Sequence, residues 1–432
     1  VASTDEATIE MLDISEKKPD SSESPPRDAL YLVHLLFLLF GIMHLLPISF
    51  FVTANDYWMY KFRNTSASTI DPNDRSQFQS HFASGSIIAQ SVPTVICLVL
   101  STIFAYKIRA RPRVLASLAV LACSFLISTA FIKVVTDTWQ AWFFATTMAI
   151  LAIMNGVLAL FQVSSFALLS KFPSRYMKTF LIGQGVGGIF SSALQVLSLA
   201  IATSSEASAI IYFTLGSVLT SSTLLLYYFS DNLAYYRYQI SNSVEDTKRD
   251  IISGPEFKDV SCRIWSSLVI VTAGALAFVP THPSIAALVV SEYQGQGYAW
   301  NDKYFVAVVT FLFSDICALI GRVVAAAFTK TLSGTWLSVI SVLRMVAFVP
   351  LFIFCNALPR KHLPVLFPHD WQYILILGSF FVSSGYLFNI AFLNVTKLAP
   401  GKEETAYLLL QTCIGIVGAV FSPVGVVCVN IL

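Results

Sequence analysis

The sequence predicts an all-α, polytopic membrane protein whose eleven transmembrane helices form a two-lobed 6+5 bundle. Three observations carry that expectation. The 432 residues are 56% hydrophobic and only 12% charged, with a mean hydropathy of +0.70, whereas soluble domains carry about 25% charged residues. Apolar stretches of about 20 residues, the length that crosses a bilayer core, recur along the whole chain. The longest polar interruption, 231–262, mixes both charge signs and divides the series into six spans and five.

Residues 1–29 are rich in Ser, Glu, Asp, Lys and Pro and lack a signal-peptide core, so a disordered, uncleaved cytosolic tail is expected. The spans follow at 31–54, 82–106, 114–135, 141–169, 177–203 and 207–230, then 263–290, 304–328, 336–358, 371–394 and 405–432. The expected domains are an N-terminal lobe over 30–231, a cytosolic inter-lobe loop over 232–262 and a C-terminal lobe over 263–432. Substrate sites of two-lobed secondary transporters lie near the midplane between the halves.

Short-loop Lys and Arg set the orientation. Lys107, Arg109, Arg111 and Arg113 lie between spans two and three, and Lys171, Arg175 and Lys178 between four and five. Both loops are therefore expected in the cytosol, which puts the N-terminus inside and the C-terminus outside or in a lumen. Arg360, Lys361 and His362, between spans nine and ten, run against this rule. Asn64-Thr65-Ser66 is a glycosylation sequon in the first outward loop, which makes Asn64 the candidate acceptor.

Several classes are excluded. A formal charge of +2 without a basic cluster offers nothing to nucleic acid. The seven cysteines are scattered, without metal-ligand or disulfide spacing, and read as buried small hydrophobes. There is no GxSxG, HExxH or Walker loop, so no catalytic residue, cofactor or metal is expected. The expected partners are a small-molecule substrate and the lipid bilayer.

An ionised side chain at membrane depth costs several kcal/mol, roughly 3 or more, and marks a site or pathway by default. Asp315 and Arg322 stand seven residues apart in the eighth span, which returns both to one helix face about 10 Å apart along the axis. That face should look into the bundle. Arg344 in the ninth span is a second base, so Asp315 reads as an ion-pair partner of Arg322 or Arg344, or as part of a substrate site or gate. His44 precedes Pro47, which loosens its turn; it reads as a buried neutral histidine or as a protonatable pathway group.

Asn155 and Gln162 in the fourth span read as interhelical glue or as partners of a heterocycle edge. Gly183-Gln-Gly-Val-Gly-Gly188 follows no strand, so close helix packing is expected there, with Gln184 able to reach a cavity.

At these residues the chain resembles an equilibrative nucleoside transporter. Gly41-Ile-Met-His-Leu-Leu-Pro-Ile-Ser-Phe-Phe-Val-Thr-Ala-Asn-Asp-Tyr-Trp58 is similar to the family signature GxxxLLPWNFFxTAxxYW. Further matches run in order through Arg113-Val-Leu-Ala-Ser117, Gly183-Gln-Gly185, Gly321-Arg322, Cys355-Asn-Ala-Leu-Pro-Arg360 and Gly385-Tyr-Leu387. The resemblance implies an eleven-helix fold related to the major facilitator architecture, and facilitated, sodium-independent movement of nucleosides and sometimes nucleobases by alternating access. Carried over by position, Gln162 is the glutamine associated with the base and Arg322 the arginine associated with the ribose. Leu45 and Val52 match apolar positions beside the substrate.

The departures matter as much. Ile48-Ser49 replaces the family Trp-Asn, Ala318 replaces the aspartate four residues before the arginine, and His44 stands where a small residue is usual. Asp315 lies three residues earlier than the family acid, about 4.5 Å along the helix. The candidate substrate-binding residues are thus Gln162, Arg322, Leu45, Ile48, Val52 and Asp315, with His44, Asp315 and Arg344 as candidates for gating or proton coupling. The leading expectation is a facilitative transporter. The alternatives are a proton-coupled transporter and a non-transporting receptor or scaffold. The plasma membrane is the expected location, with endosomal or lysosomal membrane the alternative.

Overall fold

A computed structural model describes residues 26–63, 76–104, 108–201, 204–242, 254–328, 333–358, 360 and 362–432. Apart from isolated bridges pairing Val289 with Ala357 and Cys355 with Phe367, the described chain is helices and connections. A bilayer core leaves no water to satisfy backbone groups, and a helix satisfies them internally.

The first half comprises α1 (Leu32–Thr53), α2 (Gln77–Phe104), α3 (Ala110–Ile132), α4 (Gln140–Leu169), α5 (Ser174–Ile201) and α6 (Ser205–Tyr228). The second comprises α7 (Trp265–Pro280), α8 (Ser314–Ala327), α9 (Gly334–Ile353), α10 (Asp370–Leu393) and α11 (Glu403–Ile431). Short helices at Ala234–Asn242 and Gly254–Arg263 lie between the halves, and a π-helical stretch, Val306–Phe313, leads into α8.

Among the described residues, ten helical segments are long and apolar enough to cross a membrane, and α2 contains a shorter apolar stretch, Gly85–Ser101. The expected eleven therefore stand as ten plus this shorter one. The opening turns of α2 carry Gln77, Gln79 and His81, so its apolar part is only the middle of a 28-residue helix.

Packing follows the two-lobed order. In the first half α1 pairs with α5, α2 with α4 and α3 with α6; in the second, α7 pairs with α9 and α8 with α10. The halves meet where α5 packs on α8 and where α11 packs on α2.

The glycine run of α5 lies at the centre of this arrangement. A Cβ on Gly183 would strike the Leu38 carbonyl of α1, and one on Gly187 would stand 3.0 Å from the Ile42 carbonyl. A Cβ on Gly185 would stand 2.9 Å from Leu319 of α8, and one on Gly188 2.9 Å from an Asp315 carboxylate oxygen. Residues 183 and 187 share one face by i,i+4 spacing, and 185 and 188 share another by i,i+3. The run thus seats one helix from each half, which is the close-packing role expected of it.

The second half has its own glycine crossing, where a Cβ on Gly321 of α8 would meet the Val382 carbonyl and one on Gly385 of α10 the Ala318 carbonyl. All seven cysteines are free, but only Cys317 and Cys355 are buried; Cys97, Cys413 and Cys428 are half-buried and Cys123 and Cys262 exposed, which corrects the expectation of uniform cysteine burial. Cys123 sits on a face of α3 turned away from the core, where a small polarizable side chain suits an apolar surround.

Candidate functional site: a cavity between α1, α2, α4 and α11

Intramembrane amides and hydroxyls gather round one cavity of about 290 Å³. From α1 come His44, Leu45 and Ile48, and from α2 Gln90, Ser91 and Thr94. Asn155, Leu158, Ala159 and Gln162 of α4 and Ile414, Gly415, Gly418 and Ala419 of α11 complete the wall. The lining holds no Asp, Glu, Lys or Arg. Such a wall combines apolar area with a few directional polar groups, which orients an uncharged ligand without the desolvation cost of a buried ion.

Gln162 is held at both ends. Its Nε2 donates to the His44 carbonyl at 3.1 Å, and its Oε1 accepts from Gln411 Nε2 of α11 at 2.9 Å. The Asn155 amide donates to the Leu151 carbonyl at 2.8 Å, one turn back on its own helix. His44 is 6% exposed and its Nδ1 has no partner; its ring meets the edges of Phe166 and Phe180 at 6.0 and 5.7 Å.

One turn beyond Gln162, an aromatic floor lies toward the end of the bundle where α4 finishes and α11 begins. Phe166 of α4 stacks on Phe392 of α10 at 5.0 Å and on Tyr407 of α11 at 5.6 Å, and packs edge-on against Phe180 of α5 at 5.1 Å. All four rings are buried, and Phe392 and Tyr407 lie nearly parallel at 9°. Nearby, Lys178 Nζ of α5 donates to the Ala326 carbonyl of α8 at 2.7 Å and ties the halves together.

His44, Leu45, Ile48 and Gln162 are therefore brought together, and the charged candidates lie elsewhere. Arg322 donates from one guanidinium nitrogen to the Leu181 carbonyl at 3.1 Å and to Gln184 Oε1 at 2.7 Å, with the group 5.3 Å from the Phe388 ring. Gln184 thus meets Arg322 and does not line the cavity; its Nε2 and the Arg322 Nε are buried without partners. The Asp315 carboxylate rests on Gly188 beside Ser192 of α5.

Among the described residues Asp315 forms no ion pair with Arg322 or Arg344, so the expected pairings do not form. Arg344 faces α10, where its Nε donates to Ser383 Oγ at 2.8 Å and its Nη2 to the Phe380 carbonyl at 3.0 Å, with the Phe380 ring 4.2 Å away. Asp315 and Arg322 do look into the bundle, as expected of one face. The acid and the histidine that motivated a proton-coupled reading do not share the cavity wall. The Val52 side chain and Asn64 lie outside the described residues.

Sequence reasoning did not single out Gln90, Ser91, Thr94 or Gln411. Lone amides within apolar runs at 90 and 411 were the available signal, identical in kind to the one at Gln162.

The helical bundle has the fold of major facilitator transporters. The structure of the proton:xylose symporter XylE superposes with a TM-score of 0.59 at 9% identity, covering 92% of this chain and 88% of that one. The human organic anion transporter MFSD10 superposes at 0.55 with 13% identity, covering 94% and 95%. The family model described as Nucleoside transporter matches residues 147–256 and 241–427. Equilibrative nucleoside transporter 3 of Rattus norvegicus is 30% identical over 414 residues, 89% of this chain and 86% of the relative. Equilibrative nucleoside transporter 1 of Homo sapiens is 28% identical over 448 residues, 92% of this chain and 97% of the relative. The chain belongs to the nucleoside transporter family and is a multi-pass integral membrane protein.

Proposed function

We propose that this protein is a facilitative, sodium-independent transporter of nucleosides, and of related uncharged heterocycles, working by alternating access. One observation carries the reading: the cavity between α1, α2, α4 and α11 offers amides, hydroxyls and an imidazole but no formal charge. A nucleoside is itself uncharged and rich in hydrogen-bonding edges, so it matches such a wall. Passive flux follows when outward and inward states bind substrate with similar affinity.

In this reading residues 30–231 and 263–432 are the lobes that rock about the cavity, with 1–29 and 232–262 on the cytosolic side. The N-terminus is cytosolic, the C-terminus faces outward, and the aromatic floor is the cytosolic gate. Plasma membrane is the proposed location, and Asn64 the proposed glycan acceptor. Gln162 positions the base, while Leu45, Ile48 and Val52 supply the apolar wall. Arg322 ties α8 to α5 in the state described and becomes available to substrate hydroxyls when the halves separate. Asp315 and His44 belong to the gating machinery, and Arg344 holds α9 on α10.

The test is uptake of radiolabelled uridine and adenosine in a transporter-deficient cell, with surface expression measured in parallel. Saturable, sodium-independent uptake that Arg322→Ala abolishes is expected. Absence of uptake of any nucleoside or nucleobase by well-expressed protein overturns the reading.

A further inference from the structure

The three amides on the cavity wall differ in how much hydrogen-bonding capacity they have left. Gln162 is engaged at both its oxygen and its nitrogen. Asn155 has committed its amide nitrogen to Leu151, which leaves its Oδ1 as an acceptor. Gln90 is the exception: its backbone carbonyl accepts from Thr94 Oγ1 at 2.7 Å, but its carboxamide makes no hydrogen bond among the described residues. A carboxamide carries two donors and two lone pairs, and that of the half-buried Gln90 is not committed to the protein. A side chain left uncommitted on a cavity wall therefore has its capacity available to a ligand.

Position supports the same assignment. A Cβ on Gly156 would lie 3.6 Å from Pro93 Cβ and 3.1 Å from Cys97 Sγ, so α4 lies directly against this part of α2. Gln90 is less than one turn before Pro93, and Asn155 is adjacent to Gly156, which puts the two amides at similar height. The Gln162 and Gln411 pair stands about 10 Å away along α4, next to the aromatic floor. Pro93 removes the N–H that would pair with the Ala89 carbonyl, so α2 is free to bend where Gln90 enters the cavity.

We propose that Gln90, on the same cavity wall as Asn155, is the specificity-determining residue that reads the donor and acceptor edge of the substrate's heterocycle. The proposal rests on the transporter reading above. An adjacent donor and acceptor on a ring edge, such as an exocyclic amine beside a ring nitrogen, pairs with a carboxamide through two hydrogen bonds. The ligand class is thus an uncharged heterocycle with such an edge. A site built to pair with an edge discriminates against an analogue that lacks half of it.

The test compares adenosine with purine riboside, which has the same sugar and ring but no exocyclic amine, in cells expressing the full chain. Wild type should favour adenosine in kcat/KM by roughly tenfold, the scale of one lost hydrogen bond. In Gln90→Leu the preference should collapse toward one while purine riboside flux persists, and Gln90→Asn should restore part of it. A wild-type ratio near one, a ratio unchanged by Gln90→Leu, or equal loss of both substrates overturns the proposal. Should wild type carry neither substrate, the transporter reading fails instead. Thermal stabilisation of purified protein by the two nucleosides then reads Gln90 directly: a preference for adenosine that Gln90→Leu erases supports its role, and stabilisation by neither overturns it.

Discussion

Gln411 of α11 donates to the carboxamide oxygen of Gln162 on α4 at 2.9 Å, a hydrogen bond that joins the two halves of the chain at the cavity wall. The same Gln162 donates to the His44 carbonyl of α1, so three helices share one side chain. Gln411→Leu should leave the Gln162 oxygen free, with a stability loss of about 1 kcal/mol. Uptake kinetics should show a several-fold change in KM with kcat less affected. An unchanged KM in a variant of normal thermal stability would exclude this amide pair from the substrate's surroundings.

The crossing of α1 and α5 depends on bare backbone contact. A Cβ at Gly41 would overlap the Phe180 carbonyl and one at Gly183 the Leu38 carbonyl, so neither helix can make room without moving. Gly41→Ala and Gly183→Ala should each abolish monodisperse protein in detergent, because overpacking typically costs about 1–3 kcal/mol and here the obstruction is main chain. Gly274→Ala, where a Cβ meets nothing within 4 Å, is the matched control and should behave as wild type. Equal yields of all three would contradict the close approach.

Phe166 holds the aromatic floor by stacking on Phe392 and Tyr407. Phe166→Ala removes a ring that is 1% exposed and should destabilise the protein by about 3–5 kcal/mol. It should also shift the population toward a state open at that end. Labelling of a cysteine placed at Ala159 by an impermeant reagent, applied from each side in turn, checks this. Unchanged labelling from the side of the floor would show that the rings do not seal it.

The link between Gly254–Arg263 and the start of α11 has a definite pH dependence. Asp259 accepts from Lys402 Nζ at 2.9 Å and from Arg263 Nε at 3.0 Å, and these two cations hold its carboxyl below the usual range, Lys402 foremost. Because the folded value is the lower one, the link contributes fully above the unfolded pKa, about 3.9, and is lost as pH falls through the folded value. Limited proteolysis near residues 399–402 should therefore proceed alike at pH 8 and pH 5 and accelerate only in stronger acid. Asp259→Asn should show the accelerated rate at every pH. Acceleration already at pH 6 would assign the sensitivity to another group.

Membrane class, the order of the spans, the two-lobed plan and the packing role of the α5 glycines were all legible in the sequence. Each rests on local composition or helical spacing, and hydrophobic length is a property of a segment alone. The α2 boundary was less legible, because its polar opening turns belong to the helix without belonging to the apolar run. In the site, His44 could be nominated from the proline that follows it and Gln162 from its amide, whereas Leu45 and Ile48 were nominated only by resemblance to the family signature. Gln90 and Gln411 carried the same signal, and Gln90 even has a proline three residues on as His44 does, but only the packing of helices shows that they meet the site.

The sequence by itself determined that Asp315 and Arg322 share a helix face directed into the bundle, since seven residues make about two turns. Only the tertiary structure decided what that face meets. Four glycines of α5 admit α1 on one side and α8 on the other, and the closeness of that packing gives Arg322 to Gln184 and sets Asp315 on Gly188. The charges are thereby taken up between the halves, and the cavity is left to amides contributed by helices far apart in the chain. Helical periodicity specifies directions around one axis; which axes lie within hydrogen-bond reach depends on how closely whole helices can approach.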